Sequence, residues 1–168
     1  MREKNGKGQL EIIEGHDGGS YFWIMPVKQY ASRMEGCCGV EEFKQEEISI
    51  EEYDIFRYLY YFLNRYFDST LPYVCRDEWC GSGFQWNLEH NLYSYESMRR
   101  IITEIRKASE KLKNNYNDPS LEDLKSQMNV ENCQEIPAVL DFYDRFCRRM
   151  EVMMSNAPQY MLISFMGP

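Results

Sequence analysis

Apolar positions along this chain keep two rhythms: a two-residue alternation in short segments and a helical recurrence in three longer ones. Residues 9–30 read as a β-hairpin. Leu10, Ile12 and Ile13 form a short strand, Gly15 to Gly19 a glycine-rich turn, and Tyr21 to Val27 the return strand. Pro26 cannot donate to a ladder, which favours an edge or a bulge there. Residues 31–48 lack periodicity and read as a surface loop or short helix. Ser49 with Glu52 then makes a capping box, ahead of a helix over Tyr53 to Phe67 that ends at Asp68 to Pro72. Its apolar side chains surround most of the circumference, as expected of a central, buried helix.

From Tyr73 to Leu88 the pattern is extended. Phe84, Trp86 and Leu88 alternate with polar residues, and Gly81-Ser82-Gly83 marks a turn, so Tyr73 to Cys80 is expected to pair with the segment that follows. A second helix starts near Ser94, with Met98, Ile101, Ile102, Ile105 and Leu112 on one stripe, and ends near Asn114 to Asn117. A short helix over Leu121 to Met128 precedes the third main helix, from about Pro137 to Ser155. Tyr160 to Met166 suits an interior strand. The pattern as a whole predicts one α+β domain over residues 1–168: three main helices on a small, mostly antiparallel sheet, with the C-terminal strand inside it.

At 168 residues a single core can be buried without covalent staples. Aromatics are abundant, with 13 Tyr and 9 Phe, and Tyr serves cores and protein interfaces equally well. The net charge of −8 disfavours nucleic acid and anionic membranes as partners. No apolar run approaches a membrane span, and the charged N-terminal stretch lacks the apolar region of a signal peptide. A cytoplasmic protein with reduced thiols is expected.

The candidate chemistry is sparse. Cys75, Cys80 and His90 are the set from which a thiol or metal-dependent enzyme would be built. However, Cys37 and Cys38 are adjacent rather than spaced for a second metal-ligand pair, and no histidine sits in a nucleophile–base pattern. Gly81-Ser82-Gly83 leads into a strand, unlike a phosphate loop. The reading assigns no cofactor, no metal and no catalytic residues, and it favours binding over catalysis.

Charge segregation is the stronger signal. Between Glu35 and Asp54 eight acids face one base, Lys44, whereas Arg99 to Lys113 holds six bases and two acids. Such an acidic stretch steers a basic partner, and the partner-binding residues are read as Glu41, Glu42, Glu46, Glu47, Glu51 and Glu52, with Trp79 as an aromatic anchor. The competing reading gives those carboxylates to helix capping and to the basic helix of the same chain. In size, charge and aromatic content the chain is similar to small acidic bacterial immunity proteins, which neutralise a cognate toxin; that likeness carries over no residues. It implies an inhibitory protein that acts by occluding a basic partner. A structural homo-oligomer formed through the Tyr-rich helix is the remaining alternative.

Overall fold

A computed structural model describes residues 12–14, 20–31, 38–67, 83–84, 90–130 and 133–168. Its strands are β1 (Ile12–Glu14), β2 (Tyr21–Ala31), β3 (Cys38–Glu42), β4 (Ile48–Glu51), β5 (Asn91–Ser94) and β6 (Leu162–Met166). They form one sheet in the order β1-β4-β2-β6-β5, with β3 also on β2, and every pairing is antiparallel. The helices are α1 (Glu52–Asp54), a π-helical stretch (Ile55–Leu59), α2 (Tyr60–Arg65), α3 (Tyr95–Asn114), α4 (Glu122–Met128) and α5 (Ile136–Asn156). The chain is α+β, and the C-terminal strand lies inside the sheet, between β2 and β5.

The expected hairpin over residues 9–30 does not form. β4 inserts between β1 and β2, so Ile12 pairs with Ile50 and Phe22 pairs with the other side of Ile50. Ser49 belongs to that inserted strand and is fully buried, so it does not cap the helix; Glu51 holds the N-cap position without a side-chain cap bond. The aperiodic stretch 31–48 holds β3 and a 3-10 turn, Lys44–Glu46. The expected pairing over Tyr73 to Leu88 lies outside the described residues, except for Gly83 and Phe84.

Pro26 sits in the middle of the central strand, neither at an edge nor in a bulge. β2 pairs with β4 as far as Ile24 and with β3 from Val27, and Pro26 occupies the changeover. Its carbonyl accepts from the Phe43 N–H at 2.9 Å. A strand residue points its N–H and C=O to the same side, so the missing donor faces the one place where the ladder needs none.

All the helices lie on one face of the sheet. Phe22, Ile24, Ile48, Ile50, Tyr93, Ile163 and Phe165 bury there against Ile55, Leu59, Ile101, Ile105, Phe142, Phe146 and their neighbours. On the opposite face Met25, Val27 and Leu92 are buried, flanked by half-buried Trp23, Val40, Leu162 and Met166. Helix α3 begins where its sequence says it should: the Ser94 hydroxyl accepts from the Ser97 N–H at 3.0 Å. Its whole predicted stripe is buried. Phe84 packs into the core against Phe22, Phe56, Tyr60 and Phe165. Gly83 ahead of it has φ +121°, and a Cβ there would lie 2.5 Å from the Asn64 Oδ1 that accepts the Phe84 N–H.

The helix over 52–65 is central, as expected, and its π-helical stretch is clasped by its neighbours. Gln127 Nε2 donates to the Phe56 carbonyl at 3.0 Å, and the Tyr143 hydroxyl donates to the Tyr58 carbonyl at 2.7 Å. In return Arg57 donates to the Met128 and Asn129 carbonyls at the end of α4, at 2.5 and 3.1 Å, and pairs with Glu135 at 3.0 Å. A π turn sets backbone groups out of α-helical register; here side chains from α4 and α5 reach two of its carbonyls. Burial pushes the Tyr58 hydroxyl up to about 12 and the Tyr143 hydroxyl higher still, so Tyr143 stays a neutral donor.

Candidate functional site

The acidic residues lie along the continuous stretch of β3, the 3-10 turn, the end of β4 and the start of α1, with β4 itself held between β1 and β2. Glu42 stands opposite Val27 and Glu51 opposite Tyr21 in the β2 register. Those two positions are six residue steps apart, about 20 Å at ~3.3 Å per residue. The carboxylates are therefore spread along the length of β2 rather than gathered at one point.

Their partners divide them. Glu46 is held within the chain: Arg149 Nη1 donates to its Oε2 at 2.7 Å, Asn156 Nδ2 donates to its Oε1 at 2.8 Å, and Arg149 Nη2 reaches its backbone carbonyl at 3.1 Å. Burial alone would raise the Glu46 carboxyl, but the hydrogen bonds from Arg149 and Asn156, with the Arg149 charge, outweigh it and hold the group below the usual range. Glu42 pairs with Lys44 at 3.4 Å. Glu41 is exposed and accepts from the Tyr160 hydroxyl at 3.2 Å; Lys28 stands opposite it in register, but no ion pair joins them. Among the described residues Glu41, Glu47, Glu51 and Glu52 make no ion pair.

The basic helix does not serve this rim. On α3, Arg100 pairs with Glu96 at 2.6 Å, Lys107 with Glu104 at 2.8 Å, and Lys111 with Asp118 at 3.8 Å. Arg106 forms a two-pronged contact with Glu151 of α5 at 2.7 and 2.8 Å. Helix α5 pairs Arg145 with Asp141 and Arg148 with Asp144 along its own surface. Among the described residues the rim's one ion pair to a helix, Glu46 with Arg149, goes to α5 and not to α3.

A depression of about 590 Å³ lies between α2, α3 and α4. Its cations, Arg65, Lys107 and Lys111, are matched in number by Glu104, Glu110 and Asp123, so it presents no net charge to a ligand.

The thiol and metal candidates fare differently. Cys37, Cys75, Cys80 and Trp79 lie outside the described residues, as does His16. His90 is buried just ahead of β5, with its Nδ1 at 2.8 Å from the Ser164 Oγ. Cys147 packs in the core, where burial pushes its thiol up to about 12, and Cys133 is exposed. Among the described residues no group of three or more His, Cys, Asp or Glu side chains is placed to hold a metal, and no helix is long and apolar enough to cross a membrane.

The aromatic residues beside the rim were not legible as site residues. Phe43, at the start of the 3-10 turn, sets its ring 5.1 Å from that of Tyr160, which arrives from the α5–β6 connection, with the two rings tilted by 31°. In the sequence Tyr160 is simply the start of the last strand. The chain matches no protein-family model, no curated protein and no solved structure.

Proposed function

We propose that this chain is a non-catalytic binding protein of the cytoplasm whose acidic rim engages the basic surface of a protein partner and occludes it, as an immunity-type inhibitor would. The observation that carries this reading is an asymmetry of charge pairing. Helix cations are mostly neutralised by carboxylates of their own or a neighbouring helix, whereas Glu41, Glu47, Glu51 and Glu52 have no ion pair among the described residues. These four account for part of the chain's net charge of −8. Complementary rim charges act chiefly on the encounter, by drawing the partner in over about one Debye length, roughly 8 Å at physiological salt.

The test begins with capture and identification of a partner, followed by association kinetics at two salt concentrations. Changing Glu41, Glu47, Glu51 and Glu52 together to Gln should slow association and flatten its salt dependence, with a smaller change in dissociation. Glu46 stays unchanged because it holds Arg149. An unaltered association rate in the quadruple variant would refute the reading.

A further inference from the structure

The depression between α2, α3 and α4 is balanced in the number of its charges but not in how they pair. Lys107 is taken by Glu104 at 2.8 Å, and Lys111 donates to the Ser120 hydroxyl at 2.7 Å with Asp118 at 3.8 Å. Arg65 on the α2 wall, and Glu110 and Asp123 on the α3 and α4 walls, make no ion pair among the described residues. Arg65 is nonetheless held in place. Its guanidinium lies over the Tyr61 ring, 5.5 Å from the centroid, and its Nη1 donates to the Tyr61 hydroxyl at 2.6 Å. That hydroxyl accepts from the arginine and so keeps its own proton to donate. The α2 wall therefore presents adjacent N–H and O–H donors that no carboxylate among the described residues occupies. The floor is apolar: Phe62, Leu121 and Leu124 line the depression, each only 2% exposed.

We propose that this depression binds a small zwitterion, a dipeptide with apolar side chains. Its carboxylate meets Arg65 and the Tyr61 hydroxyl, its ammonium faces Glu110 and Asp123, and its side chains cover the floor. A volume of about 590 Å³ falls in the range of small-molecule sites. Balanced charge gives no long-range pull on a polyanion or a polycation, whereas unmatched charges of opposite sign on separate walls favour a ligand that carries both. In a single amino acid both charges sit on one carbon; a dipeptide sets them apart, as the walls do. An arginine already resting on an aromatic ring loses little freedom when its fork takes a carboxylate. None of these residues belongs to the acidic rim, so the inference stands independently of that reading.

Titration of the full chain with leucyl-leucine tests this, alongside its N-acetyl form, its C-terminal amide and glycyl-glycine. Leucyl-leucine should bind with a Kd on the order of 0.1 mM. Loss of either charged end should weaken binding about tenfold, as removal of a charge-assisted hydrogen bond does. Glycyl-glycine should be weaker by about tenfold or more, because it leaves the floor uncovered. Two variants assign the ends. Arg65→Gln should weaken leucyl-leucine and its N-acetyl form but leave the amide unchanged, since the amide has no carboxylate to lose. Glu110→Gln with Asp123→Asn should weaken leucyl-leucine and the amide but leave the N-acetyl form unchanged. All three residues are exposed, so both variants should keep the parent's unfolding midpoint. Absence of saturable binding by leucyl-leucine, end-blocked forms that bind as tightly as the parent dipeptide, or variants that weaken every ligand alike would overturn the inference.

Discussion

Replacing Tyr143 by Phe removes one oxygen from the core and nothing else, and so isolates the clasp on the π-helical stretch. The ring is fully buried and packs edge-on against Phe62 at 5.8 Å, a contact that phenylalanine keeps. What is lost is the 2.7 Å hydrogen bond to the Tyr58 carbonyl and the 3.5 Å contact with the Met128 sulfur. A buried acceptor deprived of its partner costs about 1–3 kcal/mol, and no water-filled route is needed to reach that figure. The cost should appear as a lower denaturant midpoint with an unchanged slope, because the surface exposed on unfolding is the same. In a thermal melt it corresponds to a fall of about 2–4 °C per kcal/mol for a chain of this size. Tyr160→Phe is the matched control: its hydroxyl meets the exposed Glu41 carboxylate, so stability should move by less than ~0.5 kcal/mol. A loss below half a kcal/mol for Tyr143→Phe would show that the π-helical carbonyl is satisfied without the hydroxyl, and that the clasp is incidental to stability.

Three further outcomes follow from the same geometry. Leu59→Ala or Phe62→Ala, each at a position 2% exposed or less, should cost about 2–5 kcal/mol in denaturant unfolding, and losses under half a kcal/mol at both would make that helix peripheral. Glu46, whose folded-state carboxyl lies below its ordinary value of 4.5, should add stability that is fully present above that value and lost as pH falls through the depressed one; the stability gap to Glu46→Gln should therefore close on acidification, and a gap constant with pH would contradict the ion pair with Arg149. In native protein at neutral pH a maleimide should label exposed Cys133 and spare Cys147, as read by peptide mapping, since burial keeps the Cys147 thiol protonated; equal labelling would show that the α3–α5 core opens.

The elements legible in the sequence are those whose determinants are local. Helix α3 could be placed by its Ser94 cap and a stripe that repeats for four turns, and both survive because neither depends on distant partners. Ile48-Ser49-Ile50-Glu51-Glu52 shows the opposite case. The same residues satisfy a local capping box and a short alternation, and the alternation wins because strands pair with β4 on both sides and bury Ile48 and Ile50. No local signal announces that insertion, since the pairing depends on strands far along the chain, so the β1–β2 hairpin was the natural reading and the wrong one. Strand β3 escaped notice because Cys-Gly-Val-Glu-Glu has no apolar alternation to display.

The site divides along the same line. Composition located the acids but not their availability, because Arg149, which holds Glu46, lies 103 residues away. Glu46 and Glu47 are neighbours with the same chemistry; one is held by α5 and the other makes no ion pair. Charge counting sums the two, and only tertiary pairing separates charge used within the fold from charge left at its edge. Met161 is further from view, since a left-handed backbone announces itself in sequence through Gly or Asn. A methionine there is visible only once the Tyr95 and Ala157 contacts fix the turn. An exposed methionine in a left-handed conformation is a place where local preference and fold disagree. Consistency between the two is what makes α3 readable, and sequence periodicity passes over the residues at which they disagree.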